Sequence, residues 1–293
     1  MTASLTWHVW DLRKRTDVTL REFTTDAVVL RETAYKENDR ILTVLTPERG
    51  ILTVYARGVR NIASKNSAAV QLFCYSELEL ICSSSSHLSL KTAVLKDGFF
   101  GLRSDIARYA LACYMSDAVT NFCTSENDES DAMRLVLNTL YAAANLKDKP
   151  LWQIKAAFEL KLCCIAGFTP DFSQCAYCSE VLYKADGMAE HGGTYKLPAF
   201  NQDTGRYAFS VSEGAPICVN CLNGDIKNSA YTVYVSAPAL LAAEYVARAE
   251  IPKYLSFKLS AESADGFCDM CEKYLLYHAE RGFDTLKYLK TLI

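Results

Sequence analysis

Apolar positions change rhythm along this chain. From Phe23 to Val94 they come in short runs rich in β-branched side chains. Phe23-Thr-Thr-Asp-Ala-Val-Val-Leu, Ile41-Leu-Thr-Val-Leu-Thr and Ile51-Leu-Thr-Val-Tyr-Ala all read as strands. Pro47-Glu-Arg-Gly50 joins the last two, a turn composition with a glycine available for a positive φ. Two more strands are expected over Leu72–Ile81 and Leu88–Val94, on either side of a Ser83–Ser86 tip. Five strands of this length suit a small barrel or sandwich, and an OB-fold barrel over residues 23–101 is the economical way to close them.

After Gly101 the spacing becomes helical. Ser104-Asp105 is placed to cap a helix on which Ala107, Leu111, Tyr114, Ala118 and Phe122 share a face. A polar stretch from Thr124 to Asp131 leads to a second helix with Met133, Val136, Leu137, Leu140 and Ala144 at helical spacing. Pro150 opens a third, with Leu151, Ile154, Phe158 and Ile165 inward, and Gly167 and Pro170 stop it. Turn-rich, aromatic sequence fills 171–230, and helical pattern returns at Pro238–Ala249 and Ser263–Leu292. The expected class is therefore α+β and multidomain. A barrel (23–101) precedes an all-α domain split into 102–170 and 231–293 around an inserted module (171–230). Residues 1–22 have no clear period and read as a loose extension.

Inside that module stand two matched pairs, Cys175-Ala-Tyr-Cys178 and Cys218-Val-Asn-Cys221. Each CxxC bends the backbone so that two sulfurs face one point, and two such knuckles complete a tetrahedral S4 shell around one structural zinc ion with no open position. The competing accounts are unrelated buried thiols or a redox CxxC, but neither pair has the strand-to-helix setting of a thioredoxin-type motif. A third pair, Cys268 and Cys271, lies on one helical face with Leu275 and His278. With so few ligands nearby, that face reads as core packing.

Composition narrows the function classes. Half of the 293 residues are hydrophobic and 22% are charged, an ordinary globular balance. The net charge of -3 means that any nucleic-acid contact needs a local basic surface. No apolar run approaches the ~20 residues of a membrane span. The patch Leu5–Trp10 precedes Arg13-Lys14-Arg15, the reverse of a secretory signal, so the twelve cysteines are expected as thiols or metal ligands. There is no Walker-type loop, no GxGxxG after a strand, no GxSxG and no HExxH. His191 is followed by Gly-Gly rather than by the x-Glu of a zinc deaminase. An enzyme is not expected.

Charge is distributed unevenly. Arg49, Arg57, Arg60 and Lys65 fall in a stretch with no acidic residue, and Lys36 and Arg40 approach the same hairpin, diluted by Glu37 and Asp39. The run from Arg57 to Lys65 reads as a flexible basic loop. On an OB-like barrel it would track a phosphate backbone, with Tyr55, Phe73 or Tyr75 as stacking platforms. The plainer account is a solvated loop on an ordinary barrel. A zinc-ribbon module that binds proteins and never touches nucleic acid stands as the rival function, and a thiol-redox enzyme as a third.

Several segments, in order, resemble the bacterial RecO family of recombination mediators: Thr25-Asp-Ala-Val-Val-Leu, the run from Tyr35 to Gly50, Tyr55-Ala-Arg-Gly-Val-Arg, Phe158-Glu-Leu-Lys-Leu, Ala166-Gly-Phe-Thr-Pro and the two knuckles. The resemblance covers the chain from about residue 23 and leaves Cys268 and Cys271 outside the pattern. It implies an OB-fold, a helical domain and an inserted zinc module. It also implies a cytoplasmic protein, recruited to the nucleoid during repair, that binds single- and double-stranded DNA and anneals complementary strands. It would act on strands coated by SSB, through the SSB C-terminal tail, and with RecR assist loading of RecA. By position, Cys175, Cys178, Cys218 and Cys221 inherit the metal-ligand role, and Arg40 with the hairpin's basic residues inherits a DNA-contact role.

Overall fold

A computed structural model describes residues 21–82, 87–182, 200–201 and 206–293. Most of the N-terminal extension, the Ser83–Ser86 tip and the His191-Gly-Gly stretch lie outside them. Strands β1 (Arg21–Tyr35), β2 (Asp39–Thr46), β3 (Gly50–Ala56), β4 (Tyr75–Cys82) and β5 (Leu88–Asp97) form a closed barrel of order β1-β2-β3-β5-β4. That order is the expected OB-fold. β1 is long enough to close it because its first half pairs with β4 and its second half with β2, with an irregularity around Leu30 where it turns from one to the other.

The run Ala27-Val28-Val29-Leu30 is buried throughout because β1 has a core on each face. Ala27 and Val29 join Leu42, Val44, Val54, Leu78 and Leu80 inside the barrel. Val28 and Leu30, with Leu45, Phe73 and Phe99, pack outward into the helical core. Phe73 explains why β4 begins later than its apolar pattern suggests. Its backbone takes φ 67, its N–H donates to Val29 O at 2.8 Å, and its buried ring lies edge-on to Tyr109 at 5.3 Å.

The helices α1 (Ile106–Phe122), α2 (Ser130–Asn145) and α3 (Leu151–Ile165) follow. Asp105 caps α1 by accepting from the N–H groups of Ala107 and Arg108. A small sheet, β6 (Phe200–Asn201), β7 (Arg206–Ser210), β8 (Ala215–Pro216) and β9 (Thr232–Val235), holds the short α4 (Gly224–Lys227) between its last two strands. Then come α5 (Ala237–Arg248), α6 (Ala261–Ala279) and α7 (Asp284–Leu289). The single helical stretch expected over Ser263–Leu292 is in fact two helices. Glu280 takes φ 53 at the end of α6, and the chain turns so that Phe283 is buried 5.8 Å from the Tyr114 ring. None of the described helices is long and apolar enough to cross a membrane.

Burial on α3 is continuous from Gln153 to Cys163, charged residues included. Lys155 Nζ lies 2.8 Å from Glu159 Oε1 and 2.8 Å from Glu272 Oε2, and Tyr114 donates its hydroxyl to Glu159 Oε1 at 2.6 Å. Lys290 meets the other oxygen of Glu272 at 2.7 Å. Burial disfavours the Lys155 charge, but the two carboxylates outweigh it and its pKa is raised. Lys161 instead donates to the carbonyls of Ala247 and Ala249, where α5 ends and leaves carbonyls without helical partners. Cys271, also in this core, is fully buried, and burial pushes its thiol well above the usual range.

The barrel is joined to the helices at the β2–β3 turn. Gly50 has φ 59, and an added Cβ would collide with Thr124 O. Ile51 N–H donates to that carbonyl at 3.0 Å, Glu126 N–H to Arg49 O at 3.0 Å and Glu129 N–H to Pro47 O at 2.7 Å. Gly50→Ala is expected to cost at least about 2 kcal/mol, from left-handed backbone strain and a forced retreat of the α1–α2 loop, measured by urea unfolding. Lys155→Met, which leaves the fully buried Glu159 carboxylate without a cation while Glu272 keeps Lys290, is expected to cost about 3–5 kcal/mol in the same measurement.

Candidate functional site

The four knuckle cysteines converge. Their sulfurs all lie within 4.8 Å of one another, with Cys178 Sγ 3.7 Å from Cys218 Sγ. Local hydrogen bonds shape each knuckle: Ser179 N–H donates to Cys175 O at 3.1 Å, and Cys221 and Leu222 N–H both donate to Cys218 O at 3.1 Å. Cys218 N–H also points at Cys175 Sγ, 3.3 Å away. Burial raises the Cys175 thiol, yet backbone N–H groups of Tyr177, Cys218 and Cys178 outweigh it and bring the pKa down to about 7. Donors aimed at a sulfur favour the thiolate, the form that binds metal. The group can therefore hold one metal ion, and among the described residues it is the only such cluster of histidine, cysteine and acidic side chains.

The knuckles sit on a firm base. Ala176 N–H donates to Pro216 O at 2.8 Å and Ile217 N–H to Ala208 O at 3.0 Å, tying both pairs to the small sheet. That sheet is anchored in turn: Phe209 stacks on Phe172 at 5.8 Å and meets Tyr274 of α6 edge-on at 6.3 Å. Cys268 and Cys271 take no part. Cys268 lies 3.9 Å from Trp152 O against α3, and burial raises its thiol to about 12.

The barrel gathers some of the basic residues and separates others. Lys36 and Arg57 line a groove of about 640 Å³ with Tyr35, Asp39, Tyr55, Ala56, His87 and Ser89. Three neighbouring parts of the barrel build it. The β1–β2 hairpin carries Tyr35, Lys36 and Asp39, β3 and its end carry Tyr55 and Arg57, and the parallel pairing Tyr55↔Ser89 brings in the start of β5. Tyr35 and Tyr55 are 6.0 Å apart at 75°, Tyr55 and His87 5.6 Å apart at 71°, and Lys36 Nζ lies 5.3 Å from the Tyr35 ring.

The segment after Arg57, expected as a flexible loop, is instead bonded down. Gly58 N–H donates to Asp39 Oδ1 at 2.8 Å and Arg60 N–H to Asn38 O at 3.0 Å, while Val59 and Val70 are buried in the barrel. Asn66 bonds Lys91 O and Ala93 N–H on β5. Arg57, Arg60 and Lys65 are exposed and form no ion pair among the described residues. Arg40 is differently placed, 2.6 Å from Glu32 Oε2 across the β1–β2 pair. Arg49 lies at the far end of β3 with its guanidinium 4.1 Å from the Phe23 ring. Of the expected stacking platforms only Tyr55 lines the groove. Phe73 is buried against the helices, and Tyr75 donates its hydroxyl to Asp26 at 2.7 Å. Sequence reasoning passed over Tyr35 and His87 as site residues, because the β3–β5 pairing that brings the groove's third wall into place has no local signal.

Comparison with known proteins agrees with this architecture. Residues 20–99 match the family described as Recombination protein O N terminal, and residues 103–287 match Recombination protein O C terminal. The chain is similar to the DNA repair protein RecO of Acetivibrio thermocellus, 26% identical over 268 residues that cover 92% of this chain and 96% of that protein. It is similar to the RecO of Dehalococcoides mccartyi, 27% identical over 241 residues covering 82% and 84%. With that of Symbiobacterium thermophilum it shares 26% over 270 residues, covering 92% and 97%. Matched in order along both the barrel and the helical part, this chain belongs to the RecO family of DNA repair proteins.

Proposed function

We propose that the protein is a non-enzymatic mediator of recombinational repair that holds single- and double-stranded DNA on the free end of its barrel and anneals complementary strands. The observation that carries this reading is the groove with Lys36 and Arg57 at its rim, followed by Arg60 and Lys65 on a segment bonded to the barrel and free of ion pairs among the described residues. Cations held in a fixed array release counterions from a phosphate backbone on binding, and a neutralised strand no longer repels its complement. Arg40, engaged by Glu32, and Arg49, at the opposite end of β3, are given a lesser part. Action on SSB-coated strands through the SSB C-terminal tail, and cooperation with RecR in loading RecA, are carried over from the family.

Zinc is the metal we assign to Cys175, Cys178, Cys218 and Cys221. Zinc–thiolate bonds of about 2.3 Å in a tetrahedron set sulfurs about 3.8 Å apart, and the Cys178–Cys218 separation is 3.7 Å. Four protein ligands leave no open position, so the ion braces the ribbon and does no chemistry. Exposed Tyr177 and Val219 on the knuckles favour an added role for the ribbon in docking a protein.

Changing Arg57, Arg60 and Lys65 to Ala together is expected to weaken oligonucleotide binding and flatten its salt dependence by up to about 3 in log K against log salt. Fluorescence anisotropy at several salt concentrations measures this, and an unchanged slope refutes the assignment. Strand annealing on SSB-coated DNA, with and without the SSB tail, is expected to slow in the same variant. Replacing Cys178 and Cys221 by Ser is expected to remove stoichiometric zinc and destabilise the ribbon, read by elemental analysis and thermal melting. Retained zinc would overturn the ligand set.

A further inference from the structure

The groove is more elaborate than a phosphate track requires. A backbone is held by cations alone, yet here three aromatic rings and a carboxylate line the same space as Lys36 and Arg57. The rings stand nearly perpendicular to one another, at 75° and 71°, and an edge-to-face pair covers only one face of one of its two rings. Tyr35 is 41% exposed, with Tyr55 edge-on to it at 6.0 Å and Lys36 Nζ 5.3 Å from its ring. Asp39 is held in place by the Gly58 N–H at 2.8 Å. A fixed carboxylate repels phosphate, and what it accepts from is an N–H donor. Volume agrees with this chemistry, since about 640 Å³ falls within the range of small-ligand clefts.

We propose that this groove is a nucleobase pocket. It takes an unpaired base against Tyr35, Tyr55 and His87, while Lys36 and Arg57 hold the flanking phosphates. Asp39 and Ser89 accept from an exocyclic amino group. This rests on the DNA-binding reading above and goes further, naming which strands and which bases the barrel prefers. Bases in a duplex are stacked and paired, so their faces cannot enter; a single strand offers them freely. The N4 amino group of cytosine offers two N–H donors, one each for Asp39 and Ser89, whereas an unpaired thymine has only its single N3–H. The pocket therefore selects single strands over duplex and cytosine over thymine, through contacts that salt does not screen.

The test is fluorescence anisotropy on the full chain with labelled oligo(dC), oligo(dT) and a duplex of equal length at two salt concentrations. Tyr55→Leu and, independently, Tyr35→Ala are expected to weaken single-strand binding about tenfold, the scale of one lost base stack, with less than about twofold effect on duplex and an unchanged salt slope. Asp39→Asn is expected to reduce the preference for oligo(dC) over oligo(dT). Tyr35 is exposed at a turn, so its variant carries the test should Tyr55→Leu unfold, which thermal melting reports. If both tyrosine variants bind every ligand like the parent, or weaken single strand and duplex equally, the pocket is wrong. In that case a Lys36→Ala/Arg57→Ala variant that still flattens the salt slope leaves the phosphate-binding reading intact. Absence of salt-sensitive binding in the parent chain removes both.

Discussion

The shortest seam in the barrel is the one on which its working end depends. β3 and β5 run parallel and, among the described residues, pair only at Val54↔Leu88 and Tyr55↔Ser89. Without that contact β5 would be a hairpin partner of β4 alone, and the sheet would have two open edges. With it, the barrel closes, Val54 and Leu80 share an interior, and Tyr55 comes to lie beside His87 and Ser89. The segment from Gly58 to Cys74 supports the seam from inside and outside. Val59 and Val70 fill the barrel, while Asn66 reaches across to the backbone of β5 at Lys91 and Ala93. A basic stretch that must also plug a barrel has a backbone with little freedom, from which Arg57, Arg60 and Lys65 project into solvent.

The metal ribbon solves a different problem by different means. Among the described residues its sheet is small, and its knuckles contribute a cluster of only a few buried side chains around Cys175 and Cys218. A bound ion would supply roughly 10–16 kcal/mol of apparent binding free energy to a module with so little core. The ribbon is not isolated, because Phe209, Val211, Val233 and Val235 belong to the helical core. Gly214 shows how tight the fit is: an added Cβ would lie 2.7 Å from the Tyr274 hydroxyl. With an ion bound at one edge and α6 packed at the other, the sheet would be held on both sides, and Tyr177 and Val219 would stand exposed on a braced mount.

What could be read in advance was what depends on neighbours in sequence. The alternation of β2 and β3, the Pro47–Gly50 turn, the Asp105 cap and the two CxxC knuckles are local, and each stands where it was expected. The double burial of Ala27 to Leu30 was visible as an unbroken apolar run, though not the reason for it. Hidden features were those made by distant partners. Phe73, expected in a strand and as a stacking platform, is instead buried edge-on to Tyr109. The burial of Lys155 and Glu159 has no local signal, because Glu272 and Tyr114 from other helices are what allow it. Family resemblance supplied the order of parts; it could not show that Arg40 is matched to Glu32 while Arg57 is unmatched among the described residues.

The barrel's two ends divide its tasks. At one end the β2–β3 turn is bonded to the α1–α2 loop through Thr124 O, Arg49 O and Pro47 O, and Gly50 leaves no room for a side chain. At the other end, about 20 Å away along the seven residues of β3, the groove lies between the β1–β2 hairpin, the end of β3 and the start of β5. On the reading proposed above, a strand lying there would meet Lys36 and Arg57 without displacing any contact that holds the barrel to the helices. Binding at that end would then ask for no rearrangement of the core. DNA held on the barrel and a protein held on the helices or the ribbon would occupy separate surfaces, so that each could be released without loosening the other.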